Sequence, residues 1–397
     1  MRDSVILGGN SHPELLQRIC RDLDVQPAEI HSSLFANGET NVSIAESVRE
    51  KTVYVVQSAC GEVNDAFMEL LIMISACKAA SAKSVVAVMP LFPYSRQLNL
   101  RDVLNVSSKE ASKIAQQQQP FETPLAKKPP PRLGDLAQPP ITPVRTNIGM
   151  SISPVRPCFN RQLSVVAPPK EENVEPQYNP GFKCWMANPG ELMARLLTTA
   201  GADRIITMDL HDPQYQGFFD IPVDNLYGRP LLEQYIATKI PDWRHAVIVS
   251  PDAGGAKRAT SIADHLGMDF ALIHKDGRNN ATLLVGDVAG KVVILLDDLV
   301  DSGKTMTRAA KVVKDHGATM VYGICTHGVF SGDALHRLKK SINCFVTTNS
   351  VPQHENQAEF GEWIQVVDVA HVLAEAIRRI HNGESISMLF DHAVGVV

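Results

Sequence analysis

The sequence has no Cys-x-x-Cys pair, no apolar run long enough to span a membrane and no excess of positive charge. Its 7 cysteines are scattered, which reads as reduced thiols in an intracellular compartment, not a disulfide framework. Without a long apolar run there is no transmembrane helix to expect. The formal net charge of −5 excludes a general polyanion-binding surface, and with it a nucleic-acid partner. No leader is visible before the first strand, since Met1-Arg2-Asp3-Ser4 runs straight into apolar residues. The expectation is a soluble cytoplasmic protein with no membrane partner.

What is present is an ample core. A chain of 397 residues, 44% of them hydrophobic, can build two domains and an additional segment. Short apolar runs rich in Val and Ile alternate with helical patterns. Strand candidates are Val5–Leu7, Val53–Ser58, Ser84–Pro90, Arg204–His211, Trp243–Ser250, Phe270–Lys275, Met320–Thr326, Phe345–Thr348 and Trp363–Val367, and the turn-rich Phe35–Thr40 precedes an alternating Val42-Ser43-Ile44. Helix candidates are Pro13–Leu23, Asn64–Ala80, Gly190–Gly201, a stretch ending near Leu266, and Val369–His381. This alternation predicts a parallel α/β architecture. It restarts after residue 228, so the expectation is two similar halves, 1–228 and 229–397, with the last helix (about 369–390) free to pack back on the first half. Residues 98–184 break the pattern. Residues 120–180 alone hold 14 of the chain's 25 prolines, which predicts a disordered insertion. Ile141-Thr142-Pro143-Val144-Arg145 and Ile152-Ser153-Pro154-Val155-Arg156 nearly repeat within it. They suit a proline-directed kinase or arise by chance in such a tract, and Lys127–Arg132 could dock as polyproline II.

The most informative stretch is Val292–Thr305. Five apolar residues, Val292 to Leu296, read as a buried strand. Adjacent carboxylates follow at Asp297 and Asp298, then a loop through Asp301, Ser302 and Gly303, then a helix over Met306–His316. Ligands of open α/β sheets sit beyond the carboxyl ends of strands, and loop N–H groups at a helix N-terminus bind anions. The carboxylates could accept hydrogen bonds from a sugar diol or hold Mg²⁺, with a phosphate on the loop. Gly303-Lys304-Thr305 imitates the end of a Walker loop, but position 298, where that motif needs glycine, is Asp. An ordinary capped strand–turn–helix is the plain alternative.

A second constellation is Asp252-Ala253-Gly254-Gly255, paired glycines between a strand and a helix, where backbone N–H groups can approach an anion. Asp252 could hold Mg²⁺ on it. A tight structural turn would explain the glycines but not the adjacent Lys257-Arg258. His211, at a strand end, is a metal ligand, an acid/base or a structural histidine. Lys275 and Arg278 flank a polar loop, where cations could stabilise charge on phosphates or simply be solvated.

In their order these motifs resemble the ribose-phosphate pyrophosphokinases, also called phosphoribosyl pyrophosphate synthases, through nearly all of 1–97 and 185–397. Phe35–Thr40, Asn64–Cys77, Gly201–Tyr227, Ser250–Lys275, Asp297–Thr305, Thr326–Gly332 and Glu375–Phe390 carry the resemblance. It implies two tandem type I phosphoribosyltransferase-like domains. The implied activity transfers pyrophosphate from ATP to the 1-hydroxyl of ribose 5-phosphate, with Mg²⁺, for purine, pyrimidine, histidine, tryptophan and NAD synthesis. By matching position, Phe35, Asn37, Glu39, Arg96 and Gln97 would bind ATP, with Phe35 stacked on adenine. His211 and Asp252 would be the Mg²⁺-linked pair. Asp252, Ala253, Gly254 and Gly255 would form the pyrophosphate loop. Asp297 and Asp298 would bind the ribose hydroxyls, and Asp301, Ser302, Gly303, Lys304 and Thr305 would cradle the 5-phosphate. Lys275 would be the mobile catalytic lysine, with Arg278 as its partner. Ser47, Arg49, Ser385 and Ser387 would form a site for phosphate, as activator, or ADP, shared between subunits of a hexamer.

The chain departs from that family pattern in places. The basic loop expected after Gln97 is replaced by the Pro-rich insertion. The loop after Lys275 is short, with Arg278 one residue further on, behind Gly277. Insertion-bearing chains of this kind resemble fungal subunits that act with paralogous synthase subunits in hetero-oligomers. The expectations are therefore an active subunit or a regulatory partner of active paralogues, the insertion offering a docking site. A phosphoribosyltransferase that consumes the sugar diphosphate would need a base-recognising hood on one domain; the duplicated halves and Phe35–Thr40 argue against it.

Overall fold

In a computed structural model the chain is described over residues 3–95, 189–275 and 282–391, and at Lys275 and Asp391 for the backbone alone. The 98–184 tract with Thr142 and Ser153, and also Arg96, Gln97 and Arg278, lies outside the described residues.

The first sheet has five parallel strands in the order β1–β4–β5–β6–β7. They are β1 (Ser4–Gly8), β4 (Thr52–Val56), β5 (Ser84–Met89), β6 (Arg204–Met208) and β7 (Val223–Leu226). Alternate residues leave opposite faces of a strand, and both faces here are apolar. Val53, Val55, Val85, Ala87 and Ile205 join one buried cluster with α2 (Val63–Ala79) and α3 (Pro189–Ala200). Tyr54, Val56, Val86, Val88 and Ile206 join another with α1 (Pro13–Asp22) and α9 (Ala370–Asn382). The near-continuous apolar runs are the expected signature of parallel strands covered on both sides. A separate antiparallel hairpin, β2 (Ile30–Leu34) and β3 (Thr40–Ile44), packs through Ile30, Val42 and Ile44 on the α2 side.

The second sheet has seven strands in the order β10–β9–β8–β11–β12–β13–β14. They are β8 (Val247–Ser250), β9 (Asp269–Lys275), β10 (Thr282–Val285), β11 (Val292–Val300), β12 (Met320–Gly328), β13 (Cys344–Thr348) and β14 (Ile364–Val367). All neighbours are parallel except β10, which turns back along β9. Val293 and Leu295 face a cluster with α6 (Lys304–Asp315) and α7 (Ala334–Lys339). Ile294 and Leu296 face the opposite cluster, with α4 (Arg229–Lys239) and α5 (Ala256–Leu266). Short helices α8 (His354–Phe360) and α10 (Met388–Asp391) complete the order.

The fold is thus α/β with parallel sheets covered on both faces. Three local expectations change. The strand proposed over Trp243–Ser250 begins only at Val247, because Trp243–His245 forms a 3₁₀ turn on Asp242, whose φ is +52°. The last strand starts at Ile364, after a 3₁₀ turn at Gly361–Trp363. The strand at 292–296 continues to Val300.

The two sheets share one compact unit. Leu373, Ala376 and Ile377 of α9, late in the chain, are buried among Leu15, Ile19 and Tyr54 of the first sheet's side. Arg18 of α1 also bonds Asp368 at 2.8 Å, just before α9.

Candidate active site

The central strands β8 and β11 pair in parallel, Val293 with Val247 through Leu295 with Val249. Their carboxyl ends therefore open on the same edge, and the two singled-out loops leave the sheet side by side. β11 runs through the carboxylates because β12 supplies the ladder, with Asp297 opposite Cys325 and Val300 opposite Gly328. The turn then closes at Gly303, whose φ of +68° is in the left-handed region and whose added Cβ would come 3.1 Å from Leu338. The positive φ is what favours glycine there, and a side chain would in addition have to displace Leu338 slightly. α6 opens on Gly303 with no side-chain cap, leaving its first N–H groups for a ligand. Arg337 donates to the Ser302 carbonyl and ties the loop to α7.

Asp298 is buried, its side chain 3% exposed. Its Oδ2 lies 2.7 Å from His211 Nδ1 and its Oδ1 2.9 Å from Arg258 Nη1. Burial alone would raise its pKa, yet the hydrogen bond from His211 and the charge of Arg258 hold it well below the usual carboxylate range. Asp297 goes the other way. Burial, with Asp298 and Asp252 nearby, pushes its carboxyl well above the ordinary value. Its Oδ1 accepts from the Asp298 N–H at 3.0 Å and lies 4.0 Å from where a Cβ on Gly255 would stand. The two loops therefore face each other across a few ångströms.

In the second loop Asp252 is exposed. Its Oδ1 accepts from the Gly255 N–H at 3.0 Å, and Ser250 Oγ donates to the Asp252 carbonyl at 2.7 Å. α5 begins at Ala256 without a side-chain cap. Among the described residues no group of three or more His, Cys, Asp or Glu could hold a metal by itself.

The first sheet contributes from the end of β6. His211 follows it by three residues and reaches Asp298 of the second sheet. Residues that sequence reasoning missed lie beside it. Asp209, buried and at φ +41°, accepts from Thr326 Oγ1 at 2.6 Å and from the Gly228 N–H at 3.0 Å. A Cβ on Gly228 would meet Asp209 Oδ2 at 2.9 Å, so that approach needs glycine. His327, fully buried, lies 3.0 Å from the Met208 carbonyl and 2.8 Å from Ser350 Oγ. Arg258 was visible as a cation beside the glycines, but not as the partner of Asp298. No periodicity announces these residues; polar groups at the ends of apolar runs, Asp209 after β6 and Thr326-His327 inside β12, were the available signal.

Other expected site residues are not gathered here. Phe35, 55% exposed, and Asn37 and Glu39 occupy the β2–β3 tip, where Asn37 Oδ1 accepts from the Glu39 N–H at 3.1 Å. Among the described residues no hydrogen bond or ion pair joins that tip to Asp297–Thr305. Lys275 ends β9, beside β8. Ser47 and Arg49 flank Val48, which packs on the α2 side of the first sheet. Ser385 and Ser387, whose hydroxyls lie 2.7 Å apart, flank Ile386, which packs on the α1 and α9 side. Within one chain the two pairs are therefore on opposite faces. No helix among the described residues is long and apolar enough to cross a membrane.

Fold and site together define an α/β protein whose polar residues meet where the carboxyl ends of two parallel sheets approach. Residues 4–116 match the N-terminal domain of ribose phosphate pyrophosphokinase, and residues 278–391 the phosphoribosyl synthetase-associated domain. Over 396 residues the chain is 47% identical to ribose-phosphate pyrophosphokinase 5 of Schizosaccharomyces pombe, covering 99% of this chain and 98% of that one. The crystal structure of phosphoribosylpyrophosphate synthetase from Mycobacterium smegmatis superposes with a TM-score of 0.70 at 30% identity, covering 96% of this chain and all of that one. The chain belongs to the ribose-phosphate pyrophosphokinase family of enzymes.

Proposed function

We propose that the chain transfers the β,γ-pyrophosphoryl group of ATP to the 1-hydroxyl of ribose 5-phosphate, giving phosphoribosyl pyrophosphate and AMP. The observation that carries the reading is the pairing of two loops on β8 and β11: carboxylates and a glycine-turned anion cradle on one, paired glycines at a helix start on the other. The sugar's hydroxyls would meet the Asp297–Asp298 end of β11, its phosphate the Asp301–Thr305 loop, and the transferred phosphates the Asp252–Gly255 loop. The 1-hydroxyl oxygen attacks the β-phosphorus, the bond to the bridging oxygen of AMP breaks, and the hydroxyl proton leaves. Such a transfer needs in-line positioning and charge neutralisation, not a covalent intermediate.

Mg²⁺ fits the residues present. It commonly takes one or two protein ligands and fills its octahedron with water and substrate phosphates, so a closed cluster is not required. Asp252 offers an exposed carboxylate beside the anion loop. His211 is oriented through Nδ1 by a carboxylate, as metal-bound imidazoles commonly are. When bound, the ion neutralises the phosphates. Lys275 and Arg278 would add cationic charge, and Phe35, Asn37, Glu39, Arg96 and Gln97 would hold ATP. Ser47, Arg49, Ser385 and Ser387 would make a phosphate or ADP site between subunits, of itself in a hexamer or of paralogues; their separation within one chain supports a shared site. The halves 1–228 and 229–397 would be the two domains, because Leu232 and Ile236 of α4 pack on the second sheet. We infer the cytoplasm as compartment from free thiols at Cys20, Cys60, Cys77, Cys325 and Cys344.

Purified protein given ATP, ribose 5-phosphate, Mg²⁺ and phosphate should release AMP only when the sugar phosphate is present. Asp252→Asn should lower kcat by about tenfold or more, the scale of losing one charge-stabilising group. Activity that appears only with a paralogous subunit, and survives this change, would make the chain a regulatory partner instead.

A further inference from the structure

The described residues on either side of 96–188 meet on one side chain, Tyr215. On the leaving side, Tyr94 has a φ of +54°, in the left-handed region, which costs a bulky residue free energy and has to be held by its surroundings. Two hydrogen bonds hold it: the Tyr215 hydroxyl donates to the Tyr94 carbonyl, and the Tyr94 hydroxyl donates to Asn64 Oδ1 of α2. On the returning side α3 begins at Pro189. A Cβ on Gly190 would stand 2.8 Å from the Tyr215 ring and 2.7 Å from that of Phe218, so the helix start packs against both. Tyr215 itself is 1% exposed, set edge to face against Phe92 at 5.9 Å and Phe218 at 5.5 Å between ring centroids. It belongs to a 3₁₀ turn, Pro213–Phe218, capped by Asp212. Asp212 directly follows His211, whose ring reaches Asp298.

We propose that Tyr215 is a positioning residue that clamps both roots of the 96–188 segment to the turn after His211, so that the ATP side of the site and the histidine are set together. For its effect on ATP the proposal rests on the reading that Arg96 and Gln97, just past Ser95, hold the nucleotide. Being buried, Tyr215 touches neither substrate. Its hydroxyl acts on the leaving root: without that donor Tyr94 can quit the left-handed region, which redirects the backbone that follows. Its ring acts on both roots, because it is packed between Phe92 and Gly190. Movement at either root therefore passes to the Pro213–Phe218 turn, and from the turn to the imidazole that precedes it.

The test compares Tyr215→Phe, which keeps the ring and loses the donor, with Leu197→Ala, which thins the same buried cluster without touching the Tyr94 carbonyl. Calorimetry on the full chain reads the binding of Mg²⁺–ATP and, separately, of ribose 5-phosphate, and the ring nitrogen resonances of His211 are recorded without ligand. Tyr215→Phe should weaken ATP binding about fivefold or more, the scale of one hydrogen bond. It should leave the sugar phosphate within about twofold and shift the His211 resonances. Leu197→Ala should lower the denaturant midpoint and move neither ATP affinity nor the resonances. If Tyr215→Phe does not fold, Asn64→Ala, which removes the other bond holding Tyr94, should weaken ATP binding in its place. Tyr215→Phe changing the denaturant midpoint and nothing else overturns the clamp, as does Leu197→Ala matching its loss of ATP affinity. Wild-type protein that binds no ATP overturns the ATP reading instead, and the His211 resonances, moved or unmoved by Tyr215→Phe, then decide the clamp.

Discussion

His327 shows how much a single residue between the sheets can carry. It is fully buried, with Nε2 facing the Met208 carbonyl and Nδ1 facing Ser350 Oγ. A neutral ring with its proton on Nε2 satisfies both: Nε2–H donates to the carbonyl, and Nδ1 accepts from the serine. A second proton, on Nδ1, would go to Ser350 Oγ, whose own hydrogen then points to the Thr326 carbonyl at 3.2 Å, so it is the burial of the charge that opposes protonation. Burial accordingly lowers the pKa from its ordinary 6.5, although Asp209 and Asp298 pull upward. The sign follows from linkage. Above pH 6.5 the ring is neutral in both states; below it the unfolded chain takes a proton that the native ring refuses, so stability falls as the pH drops toward the native value. Each such group costs at most about 1.4 kcal/mol per pH unit in that window. His12 and His371 are lowered in the same direction, also by burial, whereas the raised Asp297 carboxyl works oppositely. The clean measurement is therefore a difference. Denaturant midpoints of wild type and His327→Gln, compared between pH 7.5 and 5.5, should converge toward the acid end; parallel curves would show that His327 is not the titrating group.

At the scale of elements, Glu69 of α2 ties three pieces together. Its carboxylate is buried and accepts from the Asn10 backbone N–H at 3.1 Å, Asn10 Nδ2 at 2.8 Å, Gln57 Nε2 at 2.6 Å, and Ser32 Oγ of the hairpin. The β2–β3 hairpin that carries Phe35, Asn37 and Glu39 is thereby held to the ends of β1 and β4. Glu69→Ala should cost about 3 kcal/mol, since several buried donors lose a charged acceptor. It should also raise KM for ATP while leaving ribose 5-phosphate binding unchanged; equal effects on both substrates would remove the hairpin from the ATP site. The hairpin was legible in the sequence only as an alternating Val42-Ser43-Ile44, whereas the parallel strands were plain. Val293 to Leu296 reads as a buried strand because consecutive apolar residues feed two opposite clusters. The same signal misled at its end. Asp297 and Asp298 read as the strand's last residues, because a one-dimensional pattern cannot show that β12 keeps pairing as far as Val300. The Asp209–Thr326 and His211–Asp298 contacts, 117 and 87 residues apart in sequence, depend on how two sheets dock, which local propensity does not encode. The motif loops were legible, and the groups that join them were not.

For the whole molecule, the decisive fact is that the chain's end completes its beginning. After building the second sheet the backbone returns as α9, and Leu373, Ala376 and Ile377 are fully buried beside Leu15, Ile19 and Tyr54. Asp368 anchors the return through Arg18 at 2.8 Å and Asn349 Nδ2 at 2.7 Å. Without α9 the face of the first sheet that it shares with α1 would lose part of its cover, and a partly uncovered parallel sheet is unstable in water. Further bonds cross between the halves in the interior: His12 to the Asn349 carbonyl at 2.8 Å, and Ser58 Oγ to the Ser350 carbonyl at 2.6 Å. The physical consequence is coupling, because losing packing in either half removes partners from the other. Equilibrium unfolding should then show one transition reported alike by near-ultraviolet circular dichroism and by tryptophan fluorescence, whose sources include Trp243 and Trp363 on the second sheet's side. Leu373→Ala should lower stability by about 2–5 kcal/mol and move both signals together. If the fluorescence midpoint stayed in place while the dichroism midpoint fell, the two sheets would be independent folding units, and a site built from His211 and Asp298 would owe its geometry to docking after folding.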